Sequence, residues 1–351
     1  MEQHGKVSGR QRQLLKTGVR LDEFERTMIS SPWVSVWQQV DQDLDLAPQD
    51  WQVDLGNYCN SACVFCTPED SSRLAQQHRQ LGILKNTVPL NWTDDDALVH
   101  RFLEMLEHSP KLRYMHFIGG ETLITPAFET ILRKIVDLGR AGEVTIGFTT
   151  NLTVWDQHIV DLLCQFESVN LNVSIESMDR VNDYVRWPSQ IDQVRATLER
   201  WMSLADTQGW LPTLRVTPTA LSIHRVKTVY QFAAEHNLNV ESCNFLYRPQ
   251  FMRPTVLPDH VRQAIADELE QWIQEMDCVG SQILNLRHPD YRSLAAVQDA
   301  ASYVEYLRHA PDESGNMGDL ARYLKQLDHL RGNCVFDYVP EYEDLLRSAG
   351  Y

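Results

Sequence analysis

The stretch "LGNYCNSACVFCTPEDSS", Leu55 to Ser72, places Cys59, Cys63 and Cys66 in a C-x3-C-x2-C pattern. Three of the seven cysteines in the chain therefore fall within eight residues, and no fourth lies close by. Thiolates bind zinc or iron–sulfur clusters, and such short spacers make the three sulfurs converge. A structural zinc site needs a fourth Cys or His at a similarly short spacing, and the nearest downstream histidine is His78. Three thiolates on a four-iron cubane would instead leave one iron open to a small molecule. Zinc and iron–sulfur both stay open on the residues of this loop alone.

Outward from the loop, short β-branched runs alternate with amphipathic segments of helical spacing. The expected strands are "WQVDLG" (51–56), "RYMHFIG" (113–119), "VTIGFTT" (144–150), "SVNLNVSI" (168–175), "TLRVTPT" (213–219) and "VESCNFLY" (240–247). Six strand–helix units predict an α/β fold with a parallel sheet and right-handed crossovers. Because a closed barrel needs eight units, the expectation is a partial (β/α)6 TIM-like barrel over residues 51–250. A flat doubly wound sheet is the alternative on this evidence. Residues 1–50 read as a helical N-terminal extension, and residues 251–351 as a mostly helical region. In the latter, a helix beginning near Pro258 carries Val261, Ile265, Leu269 and Trp272 on one face, followed by "SLAAVQDAASYVEYLRH" and "DLARYLKQLDHLRG".

Local signals add detail. Thr125 with Pro126 reads as a helix start, with Phe128, Ile131, Leu132 and Ile135 as the apolar face. His116, inside the second strand, reads as a core histidine. The segment from Thr67 to Trp92 reads as a long charged loop beside the open face, where Arg73, His78 and Lys85 could meet a substrate. Tyr58 and Asn60 flank the thiols and would shield them.

Composition excludes several classes. The 351 residues are 43% hydrophobic, enough for a sizeable core. A net charge of −16 argues against a nucleic-acid surface, which needs clustered Lys and Arg. No run of about 18 apolar residues predicts a membrane span, and no secretory signal pattern opens the sequence. Cys164, Cys243, Cys278 and Cys334 are scattered and read as buried small hydrophobes, so reduced thiols and a cytoplasmic location are expected.

The thiol loop after a first strand, with Phe65 just before the last cysteine, resembles the signature of radical S-adenosylmethionine enzymes. "FIGGETLITP" after the second strand is similar to that family's Gly-Gly-Glu segment, and "FTTNLT" after the third to its Thr-Asn segment. "NVSIESMDRVNDYVRWP" resembles the Ser-Ile-Asp…Arg pattern, with Glu176 where Asp is more usual, and "RVTPTALSIH" the segment along the adenine face. The resemblance, over roughly 51–250, implies a 4Fe–4S cluster on Cys59, Cys63 and Cys66 and S-adenosylmethionine on its fourth iron. It implies that Gly119 and Gly120 let backbone approach the ligand, and that Glu121 accepts the ligand's ammonium. Thr150 and Asn151 would bond near the ribose or sulfonium, Ser174 would contact the ribose, and Arg186 would pair with the carboxylate. Thr217, Thr219 and Leu221 would line the adenine.

The implied activity is reductive cleavage of S-adenosylmethionine to a 5′-deoxyadenosyl radical that abstracts a hydrogen atom from a small-molecule substrate. Modification of a peptide or protein side chain is the alternative, and a non-catalytic zinc or iron–sulfur protein is the rival from another class. An electron donor such as flavodoxin or ferredoxin would be the partner. "FLYRPQFMRPTVLPDHVR" and "LDHLRGNCVFDYVPEYEDLL" are similar to twitch-domain members of the family. Without C-x2-C pairs among the remaining cysteines, a complete auxiliary cluster is not expected.

Overall fold

The computed structural model describes residues 48–85, 91–242, 245–276 and 291–351, with side chains from 296 onward in the last segment. The expected helical extension over 1–50 lies almost wholly outside them, as do Cys243 and Cys278. Six strands form one sheet: β1 Asp50–Asp54, β2 Tyr114–Ile118, β3 Thr145–Thr150, β4 Ser168–Ser174, β5 Thr213–Arg215 and β6 Asn239–Glu241. Every neighbouring pair is parallel, and their order in space is their order in sequence. A doubly wound sheet reverses direction at a switch point. This sheet never does, which decides for the partial barrel over the flat alternative.

Eleven described helices follow the chain: α1 Ser72–Gln80, α2 Asp96–Glu107, α3 Pro126–Asp137, α4 Gln157–Leu163, α5 Val181–Val185 and α6 Ile191–Gln208, then α7 Val226–Glu235, α8 Asp259–Glu275, α9 Tyr291–His309, α10 Met317–Arg331 and α11 Glu343–Ser348. Several starts follow from side-chain caps. Ser71, Asp95 and Asp156 each accept backbone N–H bonds from the first turn of α1, α2 and α4. Thr125 does occupy the cap position of α3, with Pro126 first in the helix. Its hydroxyl, however, donates 3.0 Å to the Glu121 carbonyl and does not cap.

One face of the sheet is apolar except for Thr150. Val53, Phe117, Phe148, Leu171, Val173 and Leu214 are all buried, and Phe148 meets Phe128 of α3 and Trp201 of α6 at 5.5 and 5.9 Å between ring centroids. The other face carries polar side chains and is only partly covered. His116 lies on that second face and is half-buried, which corrects its reading as a core residue.

Two other expectations are shortened. β5 stops at Arg215, because Thr217 donates its N–H sideways to Glu176 at 2.8 Å and Pro218 has none to give. β6 stops at Glu241. The expected 67–92 loop contains α1, so it is ordered over Ser72–Gln80. Among the described residues no helix is long and apolar enough to cross a membrane.

Candidate active site

The three thiols sit in the loop that leaves the C-terminal end of β1, and the other motif segments leave the same ends of β2, β3 and β4. That face is where barrel folds place variable loops on a rigid frame. The loop itself is short of regular structure and is held by its neighbours. Ala62 and Val64 donate backbone N–H bonds to the carbonyls of Trp187 and Val185, at 2.7 and 2.9 Å. Ser71, the cap of α1, donates 2.6 Å to the Ser61 carbonyl.

The paired glycines after β2 also join two loops. Gly120 donates to the Gly56 carbonyl at 2.7 Å, and Glu121 to the Tyr58 carbonyl at 2.9 Å. A Cβ at Gly120 would come within 2.2 Å of the Tyr58 carbonyl oxygen, and Gly119 holds a φ of +116°. What the bare backbone approaches is the thiol loop, and the glycines allow two loops to be stitched together.

Glu121 is 1% exposed, and its carboxylate joins two more loops. Oε1 accepts from the Leu123 N–H at 3.1 Å and Oε2 from the Asn151 N–H at 2.6 Å. Burial raises its pKa, and those N–H bonds together with Thr150 pull the other way. Asn151 donates from Nδ2 to Asn60 Oδ1 and Ser61 Oγ, at 2.9 and 3.0 Å, returning to the thiol loop.

Arg186 ends α5 and is buried beside the thiols. Its Nη2 donates 2.6 Å to Glu176 Oε1, its Nη1 lies 3.8 Å from Cys63 Sγ, and its guanidinium sits 5.4 Å from the Phe65 ring centre. Glu176 is fully buried, and its second oxygen accepts the Thr217 N–H at 2.8 Å. Arg186 therefore already has one carboxylate, its own chain's, and its buried Nε has no partner among the described residues.

Together these segments enclose a cavity of about 190 Å³. Its wall includes Cys59, Cys63, Cys66, Phe65, Gly119, Gly120, Glu121, Thr150, Asn151, Ser174 and Arg186. Glu176 and Thr217 stand behind Arg186, outside the lining. Leu221 is completely buried and does not reach the cavity, and Thr219 bonds Ser222 at 3.1 Å. Lys85 is exposed, and His78 faces Tyr323 with Nε2 3.0 Å from the phenol oxygen.

Desolvation dominates the electrostatics of the thiols. Burial pushes Cys59 up to about 12 and also raises Cys63 and Cys66, while the Arg186 charge opposes the rise at Cys63. Three neighbouring thiols with raised pKa values ionise together only when further positive charge joins them. Among the described residues no group of three His, Cys, Asp or Glu side chains gathers as a single-ion site. The thiols line a space; they do not surround a point.

Sequence reasoning missed the outer supports of the loop. Arg331 of α10 donates Nη2 to the Ala62 carbonyl at 2.7 Å and to Gln77 at 2.8 Å. Arg73 donates to the Asn60 carbonyl at 2.8 Å. Both guanidiniums lie against Trp187, at 4.9 and 4.7 Å from its ring centre. Arg73 thus serves the thiol loop, and no local pattern marks Arg331.

The family model described as Radical SAM superfamily matches residues 53–205. No curated protein matches the sequence. Among solved structures, Streptococcus suis SuiB bound to S-adenosylmethionine is 12% identical, with a TM-score of 0.45, covering 77% of this chain and 57% of that one. The native anSMEcpe with bound AdoMet is 15% identical, with a TM-score of 0.44, covering 67% and 62%. TsrM from Kitasatospora setae, a radical S-adenosylmethionine methyltransferase, is 14% identical, with a TM-score of 0.37, covering 55% and 35%. The chain thus spans a little over half the length of the first two. Likeness at this level carries no functional weight. What stands is the family match itself, which runs from β1 to α6 and covers less than half of the chain.

Proposed function

We propose that this chain is a radical S-adenosylmethionine enzyme whose 4Fe–4S cluster is held by Cys59, Cys63 and Cys66. The observation that carries the reading is the single cavity shared by the three thiols, Glu121, Ser174 and Arg186. The donor set fits a multi-iron group: soft thiols spread around a space, short of positive charge, and no fourth protein ligand within the loop. When bound, cluster and S-adenosylmethionine supply one-electron cleavage of the sulfonium and hydrogen-atom abstraction.

The residues of the chain hold and orient. After two backbone bonds and one from Thr150, the Glu121 carboxylate keeps acceptor capacity for an ammonium. Arg186, fixed by Glu176, offers its unpartnered Nε to a carboxylate. The Ser174 hydroxyl and the Thr150–Asn151 corner face the same space and suit a ribose. Phe65 beneath Arg186 excludes water from that side. The Thr217 backbone fixes Glu176, and Leu221 backs the wall without touching a ligand.

The substrate in this reading is a small molecule or a peptide segment that enters the barrel mouth. A flavodoxin- or ferredoxin-like donor in a reducing cytoplasm supplies the electron. The twitch-like grouping of the C-terminal region belongs to the same proposal, supported by the way α10 reaches the thiol loop.

Anaerobic reconstitution tests it. About four irons per chain and deoxyadenosine formation with S-adenosylmethionine and dithionite are expected. Replacing Cys59, Cys63 and Cys66 together by Ala should abolish both. One zinc and no iron would establish the non-catalytic rival.

A further inference from the structure

Resting on that reading, we propose that the polar face of the sheet recognises a carboxylate-bearing substrate, with Arg215 as the anchoring group and the His116–Tyr114 pair facing it. The register sets this face next to the cavity. Ser174 and Thr149 line the cavity, and their partners on the neighbouring strands are Arg215 and Asn172. Arg215 and Asn172 therefore stand beside cavity-lining residues on the same face of the sheet.

Arg215 is held in place. Its Nε donates 3.0 Å to Asn172 Oδ1, and its Nη1 pairs with Glu241 of β6. The side chain stays 34% exposed, with Glu241 50% exposed, so the guanidinium is fixed yet open to solvent. Two engaged positions leave further N–H groups of the five-donor fork, and a fixed fork is the geometry that grips a carboxylate in two places. Asn172 is itself fixed, donating 3.4 Å to the Phe148 carbonyl.

Three strands away on the same face, and within electrostatic reach of Arg215, His116 Nδ1 lies 3.1 Å from the Tyr114 hydroxyl and the two rings stack at 6.1 Å. They lean over Gly147, where a Cβ would come within 2.4 Å of the phenol oxygen and 2.5 Å of Nδ1. Burial, with help from the Arg215 charge, lowers the pKa of His116. The imidazole is therefore a neutral hydrogen-bonding group, and Arg215 remains the cation of this wall. A purely structural inner face would be apolar, as barrel interiors generally are. This one carries a fixed cation, an imidazole and a phenol beside the proposed chemistry.

The test uses the reconstituted, oxygen-free protein and a panel of N-acetyl amino acids, each paired with its own primary amide, read by saturation-transfer NMR. At least one acid should bind about tenfold more tightly than its amide. Arg215→Met should remove that preference, Arg215→Lys should keep part of it, and Glu241→Gln should tighten binding by freeing the guanidinium. A merely structural ion pair would not move in opposite directions with its two partners. Iron content and S-adenosylmethionine affinity of each variant report folding. Intact iron and S-adenosylmethionine binding with no acid bound, or with no preference of acid over amide, overturns this inference alone. An acid preference in protein that binds no iron overturns the radical reading and leaves the carboxylate site standing.

Discussion

The two faces of one six-stranded sheet have opposite chemistry. On the helix-covered face the strand side chains are apolar apart from Thr150 and all buried but the half-buried Trp51, while on the other they include Tyr114, His116, Asn172, Arg215 and Glu241. Since neighbours in a strand point to opposite sides, Phe117 and His116 share a backbone yet belong to different problems. The first face stores stability, and the second spends exposed polar surface on recognition. A parallel strand buried on both sides would read as a continuous apolar run. The alternation in "YMHFI" and in "SVNLNVS" is therefore itself a sign that one side is kept open.

The sharpest way to break this contrast is to cut one residue from each face. Phe148→Ala should cost about 3–5 kcal/mol in denaturant unfolding, because the ring is fully buried between Phe128 and Trp201. Arg215→Met, on the other face, should change stability by less than about 1 kcal/mol, since its ion pair is half-exposed. Equal losses would mean that the open face is structural after all.

Glu176→Gln refines the division. Glu176 and Arg186 are polar, yet their side chains are only 0% and 10% exposed, so this pair behaves as core. Removing the carboxylate charge leaves Arg186 buried without its counter-ion and should cost about 3 kcal/mol. A urea midpoint unchanged from the parent would show that Arg186 reaches solvent or another anion.

The smallest effect lies away from the sheet. His224, at the start of the turn into α7, sits 2.8 Å from Glu341 with Arg225 and Asp179 close by. Burial outweighs the carboxylate and lowers its pKa to about 4. A depressed folded-state value favours the neutral ring, so this contribution is complete above the ordinary value of 6.5 and is lost as pH falls toward 4. His224→Phe should flatten the fall in stability between those pH values. An unchanged slope would assign it to the carboxylates.

The strands and the four motif segments could be read from the sequence because both depend on neighbours in the chain: alternation within β2 to β4, and loop residues directly after each strand. What could not be read depends on pairing across the chain. That Gly120 donates to the Gly56 carbonyl, that Glu176 occupies Arg186, and that His116 faces outward from the core are facts of juxtaposition. Spacing in "FIGGET" or "SIES" does not encode them. The ends of β5 and β6 were overextended for a related reason. Thr217 has the composition of a strand residue, but its N–H is claimed by a carboxylate 41 residues away.

One such long-range contact bears on how the protein is made. Arg331 grips the Ala62 carbonyl across a separation of 269 residues. On a ribosome the cysteines emerge first and wait, uncradled, while the rest of the barrel and the later helices are still being synthesised. The loop's full set of supports therefore exists only once α10 has been made and has closed on it.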